Sequence, residues 1–278
     1  MKKLIVSLGL ALTLSFGATL DEGVEAFKKG DYKTALIILE DLASKNNDKA
    51  QFNLGIMYDN GYGVKQDYLK AKELYEKAAA QGHSQAQYNL GVMYSYGKGV
   101  KQDYFKAKEW YEKAAAQGYA LAQYSLGVMY ENEYGVKQDY LKAKEWYEKA
   151  AAQNYADAQY NLGVMYSNGK GVKQDYKKAI ELYKKAATQG YADAQFNLGI
   201  MYENGKGVKQ DYFKAKEWYE KAAAQGDALA QNNIGFLYVN GQGVKQDFKK
   251  AKEWFGKACD GGEQMGCDNY KLLNQKGY

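Results

Sequence analysis

HSQAQYNLGVMYSYGKGVKQDYFKAKEWYEKAAAQG, residues 83–118, is one copy of a 36-residue unit that recurs with small edits through most of the chain. A regular period of this length is the mark of a solenoid, in which each unit buries its apolar face only against its neighbours. The core of such a protein grows linearly, so the chain length of 278 residues does not translate into a domain count. Within the unit, Ala86, Leu90, Gly91 and Tyr94 fall on one face of a helix. The turn Gly97-Lys98-Gly99 ends that helix. Asp103 is placed to cap a second helix, which runs to about Gln117 with Ala107, Trp110, Tyr111 and Ala114 on one face. Each unit therefore predicts a pair of helices, A and B.

Full units begin at Asn47, His83, Tyr119, Tyr155, Tyr191 and Asp227, giving repeats 47–82, 83–118, 119–154, 155–190, 191–226 and 227–262. Residues 18–46 predict an N-terminal capping pair, with one helix over Glu22–Lys28 and another over Tyr32–Ala43. Residues 263–278 predict a C-terminal capping helix. The chain contains no proline, so glycine does the punctuation. Gly91 sits inside helix A at a cost of about 1 kcal/mol relative to alanine, and its recurrence predicts close helix approach under the Tyr or Trp of helix B. In the third unit Glu133 replaces the first glycine of the turn, which predicts a strained or reshaped loop. On helix B, Glu109 and Lys113 stand at i and i+4 in the favourable order, predicting an ion pair that repeats at Glu73–Lys77, Glu145–Lys149, Glu181–Lys185, Glu217–Lys221 and Glu253–Lys257.

The first residues read as an address rather than as structure. Lys2 and Lys3 precede an apolar run over Leu4–Leu14, too short to span a bilayer and suited to a signal peptide, with cleavage expected after Gly17. The mature chain is then expected in the periplasm or outside the cell, with no transmembrane segment. The two cysteines, Cys259 and Cys267, are an even count, which in an exported protein favours a disulfide. A net charge of +5 becomes +3 when Lys2 and Lys3 leave. All 38 basic residues are lysine, and without arginine's rigid fork no nucleic-acid partner is expected.

The pattern carried by Ala86, Leu90, Gly91, Tyr94, Gly97, Gly99, Asp103, Ala107 and Ala114 resembles the Sel1-like repeat, a relative of the tetratricopeptide repeat. The resemblance implies an all-α fold of stacked antiparallel helix pairs, a right-handed superhelical solenoid with A helices lining its concave side. The C-x7-C spacing of Cys259 and Cys267 resembles that of exported cysteine-rich members, where it bridges neighbouring helices; a free, reactive pair is the alternative. Some of those members bind penicillin or weakly hydrolyse β-lactams, which makes such a ligand or activity an alternative function.

The residues themselves give catalysis little support. Ser95-Tyr96-Gly97-Lys98 and Ser167-Asn168-Gly169-Lys170 match S-x-x-K literally but straddle the turn after helix A, whereas the enzyme motif needs serine and lysine one turn apart on a helix. S-D-N and K-T-G are missing, and Lys33-Thr34-Ala35 does not replace them. His83 is the single histidine, expected as an exposed surface residue, so no metal is expected. Gly97–Lys101 lacks the strand and the GK[ST] ending of a phosphate loop. No cofactor and no catalytic residue is expected.

Binding is the better reading. If A helices line a groove, Phe52, Tyr88, Tyr124, Tyr160 and Phe196 form an aromatic ladder, Ile56, Val92, Val128, Val164 and Ile200 an aliphatic one, and Asn60, Asn132, Asn168, Asn204 and Asn240 an amide row. Rings and amides suit an extended protein or peptide partner, with a cell-wall glycan or host receptor as a further alternative. The same rings serve equally as core between adjacent A helices, and the asparagines as helix-ending residues.

Overall fold

The computed structural model describes residues 17–278. The signal segment expected over residues 1–17 lies, but for Gly17, outside the described residues. Among the described residues all regular structure is helical. The described part of a first compact unit ends at Gln138, and a second runs from Asp139 to Tyr278.

The first unit contains α1 (Leu20–Lys28), α2 (Tyr32–Ser44), α3 (Asp48–Asn60), α4 (Tyr68–Ala80), α5 (Ser84–Tyr96), α6 (Tyr104–Ala116) and α7 (Ala120–Asn132). The second contains α8 (Tyr140–Ala152), α9 (Ala156–Asn168), α10 (Tyr176–Thr188), α11 (Ala192–Asn204), α12 (Tyr212–Ala223), α13 (Ala228–Asn240), α14 (Phe248–Asp260) and α15 (Gln264–Gln275). Within each unit successive helices pack on one another, alternating A and B. The start of α1 lies two residues before the expected one. Its signal is a capping box: Thr19 Oγ1 accepts from the Glu22 amide at 3.3 Å, while Glu22 accepts from the Thr19 amide at 2.8 Å.

The turn between helices A and B is built the same way each time. Gly97 ends α5 in the left-handed region at φ 70°, where a side chain is unfavourable, and Lys98 donates its amide back to the Met93 carbonyl at 2.9 Å. Gln102 Nε2 donates to the Ser95 carbonyl at 2.8 Å, tying the loop to the helix it leaves. Asp103 Oδ1 then accepts from the Lys106 amide at 3.1 Å and starts α6. Glu133 holds the same left-handed conformation at φ 61°, and Tyr134 still donates to Met129. The loop is therefore strained as expected but not reshaped, because its hydrogen bonds over-determine it.

The notch glycine explains how A and B approach. A Cβ on Gly91 would stand 2.5 Å from the Tyr111 ring, and Gly55, Gly163, Gly199 and Gly235 meet Tyr75, Tyr183, Tyr219 and Phe255 in the same way. These rings are almost fully buried, between 0% and 3% exposed. Of the two expected aromatics it is the tyrosine that fills the notch; Trp110 is half-buried beside it. Lys113 Nζ lies 3.9 Å from the Trp110 ring centre, and Lys149, Lys221 and Lys257 lie likewise over Trp146, Trp218 and Trp254. This corrects the expected Glu109–Lys113 pairing. In these four repeats the ring face three residues back holds the lysine; Leu74 and Leu182 stand at that place in two others. The i,i+4 ion pairs on the helices B of the repeats, among the described residues, are Lys72–Glu76, Lys108–Glu112, Lys144–Glu148 and Lys216–Glu220.

At four steps, through Gln51, Gln87, Gln159 and Gln195, a buried glutamine links three helices. Gln87 is 6% exposed; its Nε2 donates to the Ala79 carbonyl of α4 at 3.2 Å, and its Oε1 accepts from Gln117 at the end of α6 at 2.8 Å. Gln195 does the same with Ala187 and Gln225 in the second unit. Gln231 keeps only the first link, to Ala223, because Gly261 stands where the second glutamine would; its Oε1 is buried without a partner. At the last step Cys259 and Cys267 are joined as a disulfide, with Cα atoms 4.4 Å apart. α15 occupies the place of a further helix A, but Lys271, exposed to solvent, stands where the notch glycine would be.

Candidate functional site

Position five of each A helix carries the ladder residue, and its surroundings are set by the helix pair beneath. In the first unit Phe52 is 9% exposed and belongs to the core; it stacks on His83 at 4.6 Å and tilts against Tyr75 at 6.0 Å. A side chain so buried offers a partner little surface, so Phe52 is core rather than ligand contact. Tyr88 and Tyr124 are half-buried. Tyr88 lies 5.6 Å from Tyr111 and 5.3 Å from Tyr119, with Ser125 beside its hydroxyl. Burial, first of all, holds that hydroxyl above the ordinary phenol value.

The second unit repeats the arrangement. Tyr160 is half-buried, 5.9 Å from Tyr183 and 5.0 Å from Tyr191, and accepts from Asn197 Nδ2 at 3.4 Å. Phe196 is half-buried beside Tyr219 at 5.7 Å. The last A helix has Asn232 at this place, buried at 4%. Phe52, Tyr88, Tyr160 and Phe196 thus rest on the notch rings of their own helices B, and the first three also on the first residue of the next repeat. Ile56, Val92, Val128, Val164 and Ile200 are half-buried beside them.

Asn60, Asn132, Asn168, Asn204 and Asn240 are exposed at the ends of their A helices. Nδ2 of Asn60, Asn132 and Asn204 donates at 3.0 Å to the carbonyl four residues back, and Asn240 bonds Gln242 at 3.5 Å. Their amide nitrogens serve the helix end, which leaves the side-chain oxygens of Asn60, Asn132 and Asn204 as acceptors toward solvent.

His83 is not the exposed residue expected. It is half-buried, its ring stacked on Phe52, and Nδ1 accepts from the Ala86 amide at 3.3 Å as the N-cap of α5. Burial is the main cause that lowers its pKa below the ordinary imidazole value; Asp48 opposes the shift and Lys49 adds to it. The sequence signal was positional: Asn47 and Asp227, both N-caps, occupy the same place in their repeats.

The serine–lysine matches come apart in three dimensions. Ser95 lies beside the buried Tyr111 hydroxyl in the last turn of α5, and Lys98 lies beyond the left-handed Gly97. Ser167 lies beside Tyr183 in the same way, while Lys170 sits 5.9 Å from the Tyr140 ring centre. The serines belong to a relationship the sequence reading missed. Tyr75 bonds Asp59 and Tyr219 bonds Glu203, Ser95 and Ser167 stand at the same place beside Tyr111 and Tyr183, and where the notch ring is Phe255 the matching residue is Val239. Loss of hydroxyl and loss of acceptor together were visible in the last repeat. Among the described residues no group of three or more His, Cys, Asp or Glu side chains is placed to hold a metal, and no helix is long and apolar enough to cross a membrane.

The comparisons agree with this architecture. The family model for the Sel1 repeat matches residues 48–83, 84–119, 120–155, 156–191, 192–227 and 228–263. A protective antigen present in uropathogenic Escherichia coli strains, displaying an SLR fold, is 37% identical at a TM-score of 0.88 over 93% of this chain; the chain spans 56% of that protein. A Sel1 repeat protein from Oxalobacter formigenes is 36% identical at a TM-score of 0.79, over 87% of this chain and 99% of that one. No curated protein matches.

Proposed function

The chain belongs to the Sel1 repeat family, whose fold is typical of protein–protein interaction, and on that premise we propose that it is an exported, non-catalytic scaffold holding a protein or peptide along the face of its A helices. The observation that carries this reading is the half-buried state of Tyr88, Tyr124 and Tyr160. Packing against neighbouring rings fixes Tyr88 and Tyr160 before any partner arrives, so little side-chain entropy remains to be lost on binding. Aromatic side chains give large contact area for few rotors. The outward oxygens of Asn60, Asn132 and Asn204 supply acceptors for the amides of an extended peptide.

A photo-crosslinking residue placed at Val92 or at Asn132, with Glu109 on helix B as control, tests this in the producing organism. Adducts with one discrete protein from the A-helix positions and none from the control support the scaffold. Equal labelling from both faces removes the A-helix site. Turnover of a chromogenic β-lactam above buffer, abolished by Ser95→Ala with Ser167→Ala, would contradict the non-catalytic reading.

A further inference from the structure

The second residue of four B helices is a large apolar side chain in solvent. Leu69 is 63% and Phe105 71% exposed in the first unit; Leu141 is 62% and Phe213 60% exposed in the second. A single exposed leucine is ordinary. Recurrence at one position of the repeat, in a constant setting, is a different matter. Leu69 lies between Lys65 and Lys70, beside a shallow recess of about 660 Å³ that Tyr58, Val64 and Gly99 also line. Phe105 lies between Lys101 and Lys106 at an equivalent recess of about 640 Å³. Each recess is lined by two lysines against one carboxylate, Asp67 or Asp103, which caps the start of α4 or α6, so its balance is net positive.

The next loop packs onto each of these helix starts: a Cβ on Gly99 would stand 2.5 Å from the Tyr68 Cβ, and one on Gly135 2.5 Å from the Tyr104 Cβ. Leu69 and Phe105 therefore sit on one edge of the first unit, where A turns into B. The second unit carries Leu141 and Phe213 at the same place, with Lys177 and Lys249 at that position in the remaining repeats.

Three features fix the chemistry of what this edge meets. Lysine, without arginine, supplies point charges suited to a diffuse anionic surface rather than a fixed bidentate pattern. The apolar side chains project as separate fingers rather than lining a closed pocket. Leucine, phenylalanine and lysine share one position. A protein groove that buries the first two would reject the third, whereas a headgroup layer over acyl chains accepts all three, lysine by extending its stem through apolar surroundings to the phosphates.

We propose that this edge of each unit docks on an anionic lipid surface, with the leucine and phenylalanine side chains entering the headgroup–acyl boundary and the flanking lysines meeting headgroup phosphates. Co-sedimentation of the full chain with phosphatidylglycerol-containing vesicles, against pure phosphatidylcholine vesicles, tests it at low and high salt. The chain is expected to partition onto the anionic vesicles and to be released by salt. Leu69→Ser, Phe105→Ser, Leu141→Ser and Phe213→Ser together are expected to lower partition by roughly tenfold or more. Thermal unfolding should be unchanged, because all four side chains are exposed. In a Phe105→Trp variant, excitation at the indole red edge should report a shift that depends on vesicles. Failure of the wild-type chain to bind at low salt overturns the proposal, as does equal binding to neutral vesicles. Undiminished binding of the fourfold variant does so too, since it leaves only adsorption by lysine. Capture of a soluble acidic peptide through these residues, without vesicle partition, overturns the lipid surface in favour of a protein partner.

Discussion

Cys259 and Cys267 are bonded across the same two positions that, five repeats earlier, Ala79 and Gln87 span with a carbonyl–amide hydrogen bond. A covalent link replaces a polar one at this step. Reduction should therefore loosen α15 first. Cys259→Ala with Cys267→Ala is expected to lose about 2–3 kcal/mol, read by thermal melting, with faster amide exchange confined to residues 264–275. Cys259→Ala with Cys267→Gln should recover about 1 kcal/mol of that loss by restoring the carbonyl bond. Equal melting of the two double variants would sink the equivalence.

Gly91→Ala tests the notch. The substitution favours the helix by about 1 kcal/mol, but the added methyl would stand 2.5 Å from a Tyr111 ring that is 3% exposed and boxed in by neighbours. Overpacking of up to about 3 kcal/mol outweighs the gain, leaving a net loss of about 1–2 kcal/mol in urea unfolding. Tyr111→Leu should cost less in the Gly91→Ala background than alone. Additive losses would mean that the ring is not what the methyl meets.

Tyr219 and Glu203 form the polar version of the pair that Phe255 and Val239 form without polarity. Burial first, then the Glu203 carboxylate, push the Tyr219 hydroxyl well above the ordinary phenol value. Tyr219→Phe alone strands the carboxylate and should cost about 1–2 kcal/mol. Adding Glu203→Val should return most of it. A double variant no more stable than the single one would show that the two residues are not coupled.

His83 gives the chain a pH dependence of known sign. Its folded-state pKa lies below the ordinary value, so the unfolded chain takes up the proton more readily. The contribution of His83 to stability is full above the unfolded imidazole value of about 6.5 and is lost as pH falls through the lower, folded value. Geometry gives the cause, since protonation removes the Nδ1 lone pair that caps α5. The melting temperature of the wild-type chain should fall more steeply than that of His83→Asn between neutral and mildly acidic pH. Parallel curves would contradict the capping role.

What the sequence shows best is whatever repeats. The period, the two-helix unit, the aspartate caps and the notch glycine are local features, and six copies reinforce each one. Choices between near-equal neighbours were not legible. Lys108, Glu109, Glu112 and Lys113 allow ion pairs in either order; Lys108 pairs with Glu112 while Lys113 lies over the Trp110 ring, and Lys72–Glu76 forms in the same order with Leu74 in the ring's place. Tyr111 and Trp110 are adjacent on the helix, and it is the Tyr111 ring that meets the Gly91 notch. The ladder is legible as a stripe, but its depth is set by the next repeat. Phe52 is buried under His83, whereas Tyr88 meets Tyr119 edge-on and stays half-buried. Glu133 was readable as an anomaly; that the turn would keep its form depended on backbone bonds that do not involve the side chain.

Lys271 bears on how such a chain can change length. A stack built by seating a ring in a notch is open-ended in principle, and an open end is a template for another molecule, leading to filaments. A lysine in place of the glycine denies the next ring its seat, whether that ring comes from the same chain or from a second copy. New repeats can enter only upstream of α15, by duplication between existing ones. A lengthened descendant would then carry its extra copies in the interior, with this final helix unchanged.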